Sequence, residues 1–117
     1  MQIQINTDHN IEVHEALAGQ LRDTVATSLH RFDDRITRVE MHLSDENANK
    51  SGQNDKRCLL EARLNGRQPI AASFAAQSLG QAVDGAADKL VRSIESALGR
   101  AEQPTAAADW REPTEPE

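Results

Sequence analysis

The feature that most constrains this chain is the period of its apolar residues, which alternates between two and about 3.6 along the sequence. In MQIQIN, Met1, Ile3 and Ile5 alternate with polar neighbours, the pattern of a half-buried strand. From Val13 the spacing changes: Val13, Leu17, Leu21, Val25, Leu29 and Phe32 recur as they would on one side of a helix running to about Phe32. In ITRVEMHLS the period returns to two, with Val39, Met41 and Leu43 on one face and Arg38, Glu40 and His42 on the other. KRCLLEARL alternates again, with Cys58, Leu60, Ala62 and Leu64 inward and Arg57, Leu59, Glu61 and Arg63 outward. PIAASFA turns Ile70, Ala72 and Phe74 to one side. The helical period then resumes in Leu79, Val83, Ala86, Ala87, Leu90, Ile94, Ala97 and Leu98.

The segments between these elements agree with the pattern. DENANKSGQND is polar and contains glycine, as a hairpin loop does. Asn65-Gly66 tolerates positive φ and marks a second hairpin, and Pro69 lacks a donor, which suits the first position of a strand. Ser78 with Gln81 is spaced as a capping box opening the last helix. The order is therefore strand, helix, three strands, helix. The helical crossover predicts parallel, right-handed pairing of the first two strands, and the short connections predict antiparallel pairing of the rest. One sheet and two amphipathic helices define a two-layer α+β domain with one wet sheet face.

With 117 residues the chain has room for one modest core, and its scarce aromatics, Phe32, Phe74 and Trp110, leave Leu, Ile, Val and Ala to build it. Residues 1–100 are read as the domain. Residues 101–117, rich in Ala, Pro and Glu, are read as a disordered acidic tail that includes Trp110. That tail carries four of the six net negative charges, so the overall acidity says little about the domain's own surface. No apolar run is long enough for a membrane span, and no signal peptide is expected. The lone Cys58 cannot form an internal disulfide and fits a reducing cytoplasm.

Catalytic and metal-binding patterns are not found. His9, His14, His30 and His42 stand at no metal-ligand spacing, and Cys58, inward on its strand, reads as a small buried hydrophobe. The loop at Asp45, Asn47 and Asn49 begins like a calcium loop but has Lys50 and Lys56 where a glycine and a bidentate acid are needed. Gly80 and Gly85 are isolated glycines and form no phosphate loop. No enzyme, no metal and no cofactor are expected.

The charge pattern of the last helix is more informative. On a helical wheel Asp84, Asp88 and Glu95 gather on one flank of the apolar stripe, whereas Lys89, Arg92 and Arg100 gather on the other, among Gly85 and Ser96. Local pairs such as Asp88–Arg92 account for such a surface at about 0.2–0.5 kcal/mol each. Small side chains between bases equally suit the approach of a phosphate backbone. On the first helix Arg22 and Arg31 fall on opposite sides of the stripe.

MQIQIN, EVHEAL, FDDRITRVEMHLS and, above all, AVDGAADKLVRSI, in this order over residues 1–100, resemble the ribosome hibernation-promoting factor and ribosome-associated inhibitor family, also called sigma-factor modulation proteins. The resemblance implies a β-α-β-β-β-α fold with both helices on one sheet face. It also implies a non-enzymatic stress or stationary-phase role in the cytoplasm. Such proteins bind the small ribosomal subunit in the decoding channel, inhibit translation by idle ribosomes and contact ribosomal RNA through basic residues of the helices. Carried over by position, the RNA-binding residues are Lys89 and Arg92 and, more loosely, Arg22, Arg31 and Arg100. This chain has TVATSLHR where the family has several lysines on the first helix, and IESALGRAEQ where it has a lysine-rich stretch. It is too short for the dimerisation domain of the long forms, and its acidic tail is similar to that of the inhibitor-type short members. A protein-interaction module of the same fold with little RNA binding is the alternative reading.

Overall fold

The computed structural model of the protein describes residues 1–8, 11–45 and 55–102, with side chains up to Gly99. Strand β1 (Gln2–Thr7) leads into helix α1 (Glu15–Ser28), strands β2 (Ile36–Asp45), β3 (Lys56–Leu64) and β4 (Ile70–Ala76), and helix α2 (Leu79–Glu102). The sheet order is β1-β2-β3-β4. β1 pairs parallel with β2, as a strand–helix–strand crossover requires, and the remaining pairs are antiparallel. This is the α+β architecture that the periodicity predicts.

The core lies between the sheet and the two helices. Val39, Met41, Leu43, Cys58, Leu60 and Ala62 supply the sheet side; Leu21, Val25, Ala82, Val83, Ala86, Ala87, Leu90 and Ile94 supply the helical side. Helix α2 packs over β3, β4 and α1. Its three fully buried alanines, Ala82, Ala86 and Ala87, leave little side chain between its backbone and the neighbouring elements. The opposite sheet face carries the alternate residues and stays wet. Burial pushes the Cys58 thiol up to about 12, so this residue is a protonated hydrophobe at neutral pH.

Several boundaries move. The first helical stretch divides: α1 ends at Ser28 and a short 3₁₀ turn covers His30–Phe32, which tucks Phe32 into the core. Its N-cap is His14, whose Nδ1 accepts a bond from the Leu17 amide at 3.3 Å. Helix α2 is capped by Ser78, whose Oγ accepts from the Gln81 amide at 3.2 Å. It continues two residues past the 1–100 boundary, to Glu102. Gly66 has φ +74, the left-handed geometry expected of Asn-Gly, but the connection spans 65–69 and β4 begins after Pro69. The calcium-like stretch 46–54, His9, and the 103–117 portion of the tail with Trp110 lie outside the described residues. Lys56, at the start of β3, bonds Asp45 at 3.1 Å and Asp55 at 3.3 Å; the Asp45 carboxylate, more than that of Asp55, raises its pKa.

Phe74 departs most from expectation. It sits on the core side of β4, opposite Cys58, as alternation requires. Yet it is 39% exposed, because β4 is an edge strand and its ring lies beside α2 rather than beneath it.

Candidate nucleic-acid interface

The two flanks of α2 face different neighbours. Asp84 and Asp88 border a shallow groove shared with Ser28 of α1. Glu95, on the same flank, forms an ion pair with Arg31 of the 3₁₀ turn. The bases point the other way. Lys89 and Arg92, with Ser93, line a groove of about 400 Å³ whose far wall is Ala71, Ala72 and Ser73 of β4. The acid–base segregation seen on the helical wheel thus becomes a division between an acidic inter-helix side and a basic sheet-edge side.

Each base of the groove is held by the fold. Lys89 donates from Nζ to the Ser73 carbonyl of the edge strand at 3.1 Å. The same Nζ stands 5.6 Å from the centroid of the Phe74 ring, within cation–π range. Gly85 makes room for that ring: a Cβ on this residue would overlap Phe74 Cγ, Cδ2 and Cε2. Arg92 donates to Asp88 at 2.6 Å across one helical turn. Both partners are exposed, so the pair is weak and an anion can take the place of Asp88 on Arg92.

Of the five sequence-derived basic candidates, the structure therefore brings together Lys89 and Arg92. Arg31 stands apart, paired with Glu95 and lying 4.8 Å above the Phe32 ring. Arg22 is half-buried on α1 and lines neither groove, and Arg100 belongs to the last turns of α2, beyond the described side chains. Sequence reading missed Phe74 and the Ser73 carbonyl. Alternation assigns Phe74 to the core, and only the strand order reveals that β4 is an edge.

The open sheet face carries a second cluster. The ligand atoms of Glu40, His42 and Glu61 lie within 4.8 Å of one another, a grouping invisible in sequence because β2–β3 pairing places Glu40 opposite Glu61. Its charge is already balanced: Arg38 reaches Glu40 at 3.3 Å, and Arg63 reaches Glu61 at 3.7 Å and Glu40 at 3.8 Å. A cation there would have to compete with two guanidinium groups, and two directly opposed glutamates require such compensation in any case.

The chain is thus a small β-α-β-β-β-α domain with Lys89 and Arg92 lining a groove between its last helix and an edge strand. Residues 3–102 match the family model described as sigma 54 modulation protein / S30EA ribosomal protein, and the chain belongs to that family of ribosome-associated proteins. It is not a known enzyme family. The fold is similar to the crystal structure of the Thermus thermophilus Protein Y N-terminal domain, with TM-score 0.66, 20% identity, and coverage of 83% of this chain and 99% of that one. It is also similar to a ribosomal subunit interface protein from Coxiella burnetii, with TM-score 0.55, 21% identity, and coverage of 87% and 98%. No curated protein matches the sequence. Among the described residues no helix is long and apolar enough to cross a membrane.

Proposed function

We propose that this protein is a cytoplasmic stress or stationary-phase factor that occupies the small ribosomal subunit near the decoding channel and inhibits translation by idle ribosomes. Ribosomal RNA is its partner, and it needs no small-molecule substrate or cofactor. The observation that carries this reading is the basic groove: Lys89 and Arg92 stand together on the β4 side of α2, and Asp84 and Asp88 border the groove toward α1. Phosphate contacts from such bases supply sequence-independent affinity. Residues 1–100 act as the binding domain. Arg22, Arg31 and Arg100 contribute at its margins, Arg31 after exchanging Glu95 for phosphate. With few lysines on its helices, the protein binds more weakly than a lysine-rich relative and with a shallower salt dependence, since each lost phosphate contact removes about 0.7–0.9 from the log–log slope.

The test is co-sedimentation with small ribosomal subunits across a salt series, wild type beside Lys89→Ala/Arg92→Ala. Salt-dependent binding that the double variant loses supports the groove as the RNA contact. Binding indifferent to the variant moves the contact elsewhere on the domain. No binding at low salt leaves the alternative, a protein-interaction module of the same fold, which is favoured by the internal pairing of Arg31 with Glu95 and Arg92 with Asp88.

A further inference from the structure

We infer that Phe74 is a stacking platform for an unpaired nucleobase, so that the edge formed by α2 and β4 takes single-stranded RNA in preference to duplex. This rests on the RNA-binding reading above and adds the state of the RNA that the surface selects.

The position of the ring is the first argument. Only two large hydrophobic side chains are exposed among the described residues, Leu59 on the open sheet face and Phe74 beside the basic groove. Phe32, by contrast, is buried. The ring of Phe74 is held in place from behind. The missing side chain of Gly85 lets it settle against the α2 backbone, where any Cβ would overlap it. A glycine in mid-helix is unfavourable relative to alanine, and here it coincides with the seating of a ring that stays 39% exposed.

The second argument is the company it keeps. Lys89 joins the ring to the groove: its Nζ is 5.6 Å from the ring centroid and bonded to Ser73, the residue next to Phe74, while Lys89 and Arg92 line the groove itself. An aromatic face next to Lys89, which shares its groove with Arg92, matches the two demands of a single strand, a surface for a base and charge for the adjoining phosphates. A duplex keeps its base faces stacked inside and can use only the charges.

The experiment is fluorescence anisotropy of the full chain with a labelled short oligoadenylate, the same backbone carrying abasic sites, and an RNA duplex. Wild type is expected to bind the base-bearing strand about tenfold more tightly than the abasic strand, the lower range for base–aromatic stacking. Phe74→Leu should erase that difference while leaving the salt slope unchanged, and Phe74→Trp should keep it. Lys89→Ala/Arg92→Ala should weaken both strands alike and flatten the slope. Equal affinity of wild type for base-bearing and abasic strands, or a Phe74→Leu protein that still discriminates, overturns the inference. The wild-type comparison needs no variant to fold. If co-sedimentation with small subunits persists while base discrimination is absent, stacking fails and the proposed function stands. If wild type binds neither subunits nor RNA, the functional reading fails and the inference falls with it.

Discussion

The two flanks of α2 are built from the same helix with similar numbers of charges, yet they end in opposite situations. On the α1 side the acid Glu95 meets Arg31, so part of that flank is neutralised within the molecule. Among the described residues, Lys89 on the β4 side meets a backbone carbonyl and a ring, and Arg92 meets its exposed neighbour Asp88. What a helix flank can do is set by the element it faces: the 3₁₀ turn after α1 offers Arg31 to answer Glu95, whereas the edge strand β4 offers Lys89 a neutral backbone carbonyl and leaves its charge for an outside partner.

The comparison breaks most completely if α2 loses its seat. Leu90 and Ile94 are fully buried beneath both flanks. Leu90→Ala should cost about 2–5 kcal/mol, measured by urea unfolding, and abolish subunit binding if the domain no longer folds at assay temperature. A loss under 1 kcal/mol would mean the helix packs more loosely than its burial indicates.

The next effect separates the flanks. Lys89→Ala/Arg92→Ala should flatten the slope of log affinity against log salt by about 1.4–1.8, two phosphate contacts' worth, with little change in melting temperature. Charge neutralisation on the other flank, Asp84→Asn/Asp88→Asn, should strengthen RNA binding by relieving repulsion and freeing Arg92. Equal responses from both flanks would show that net charge, not its placement, governs binding.

A pH titration reads the core beneath them. The folded Cys58 thiol titrates near 12, against an ordinary value of 9.0, so the unfolded chain holds fewer protons in between. Stability should therefore be unaffected by this group below about pH 9 and fall as pH climbs from there toward 12. Cys58→Ala, followed by thermal melts across that range, should remove this part of the decline. At neutral pH the native thiol should resist alkylation until the chain is unfolded.

The smallest effects refine the picture. Gly85→Ala should move stability by less than about 1 kcal/mol, because the helix-propensity gain opposes the displaced ring. It should remove the ring-current shifts of the Lys89 methylenes in an NMR spectrum, since Phe74 can no longer lie against α2. Glu95→Gln should cost at most about 1 kcal/mol, as exposed ion pairs do, and leave Arg31 available to RNA.

Much of this molecule was legible in the order of its residues. The switches of period place every strand and both helices, because pleat and helix impose periods that apolar residues must follow to reach one core. Ser78 and Gly66 announce a cap and a turn for equally local reasons, and the segregation of charge along 84–95 follows from the helical angle alone. Other features depended on residues distant in sequence. Asp45, Lys56 and Asp55 meet because β2 and β3 pair, and Glu40 faces Glu61 for the same reason. The His14 cap and the break of the first helix before Phe32 are local in sequence, but helical spacing passes over both. Above all, the sequence by itself determined that Lys89 and Arg92 share a flank and that Phe74 shares a face with Ile70 and Ala72. Only the tertiary structure decided that this flank borders an edge strand and that this face ends there. Edge or interior is a property of strand order, which no local period encodes, and it turns an expected core phenylalanine into an exposed ring beside Lys89.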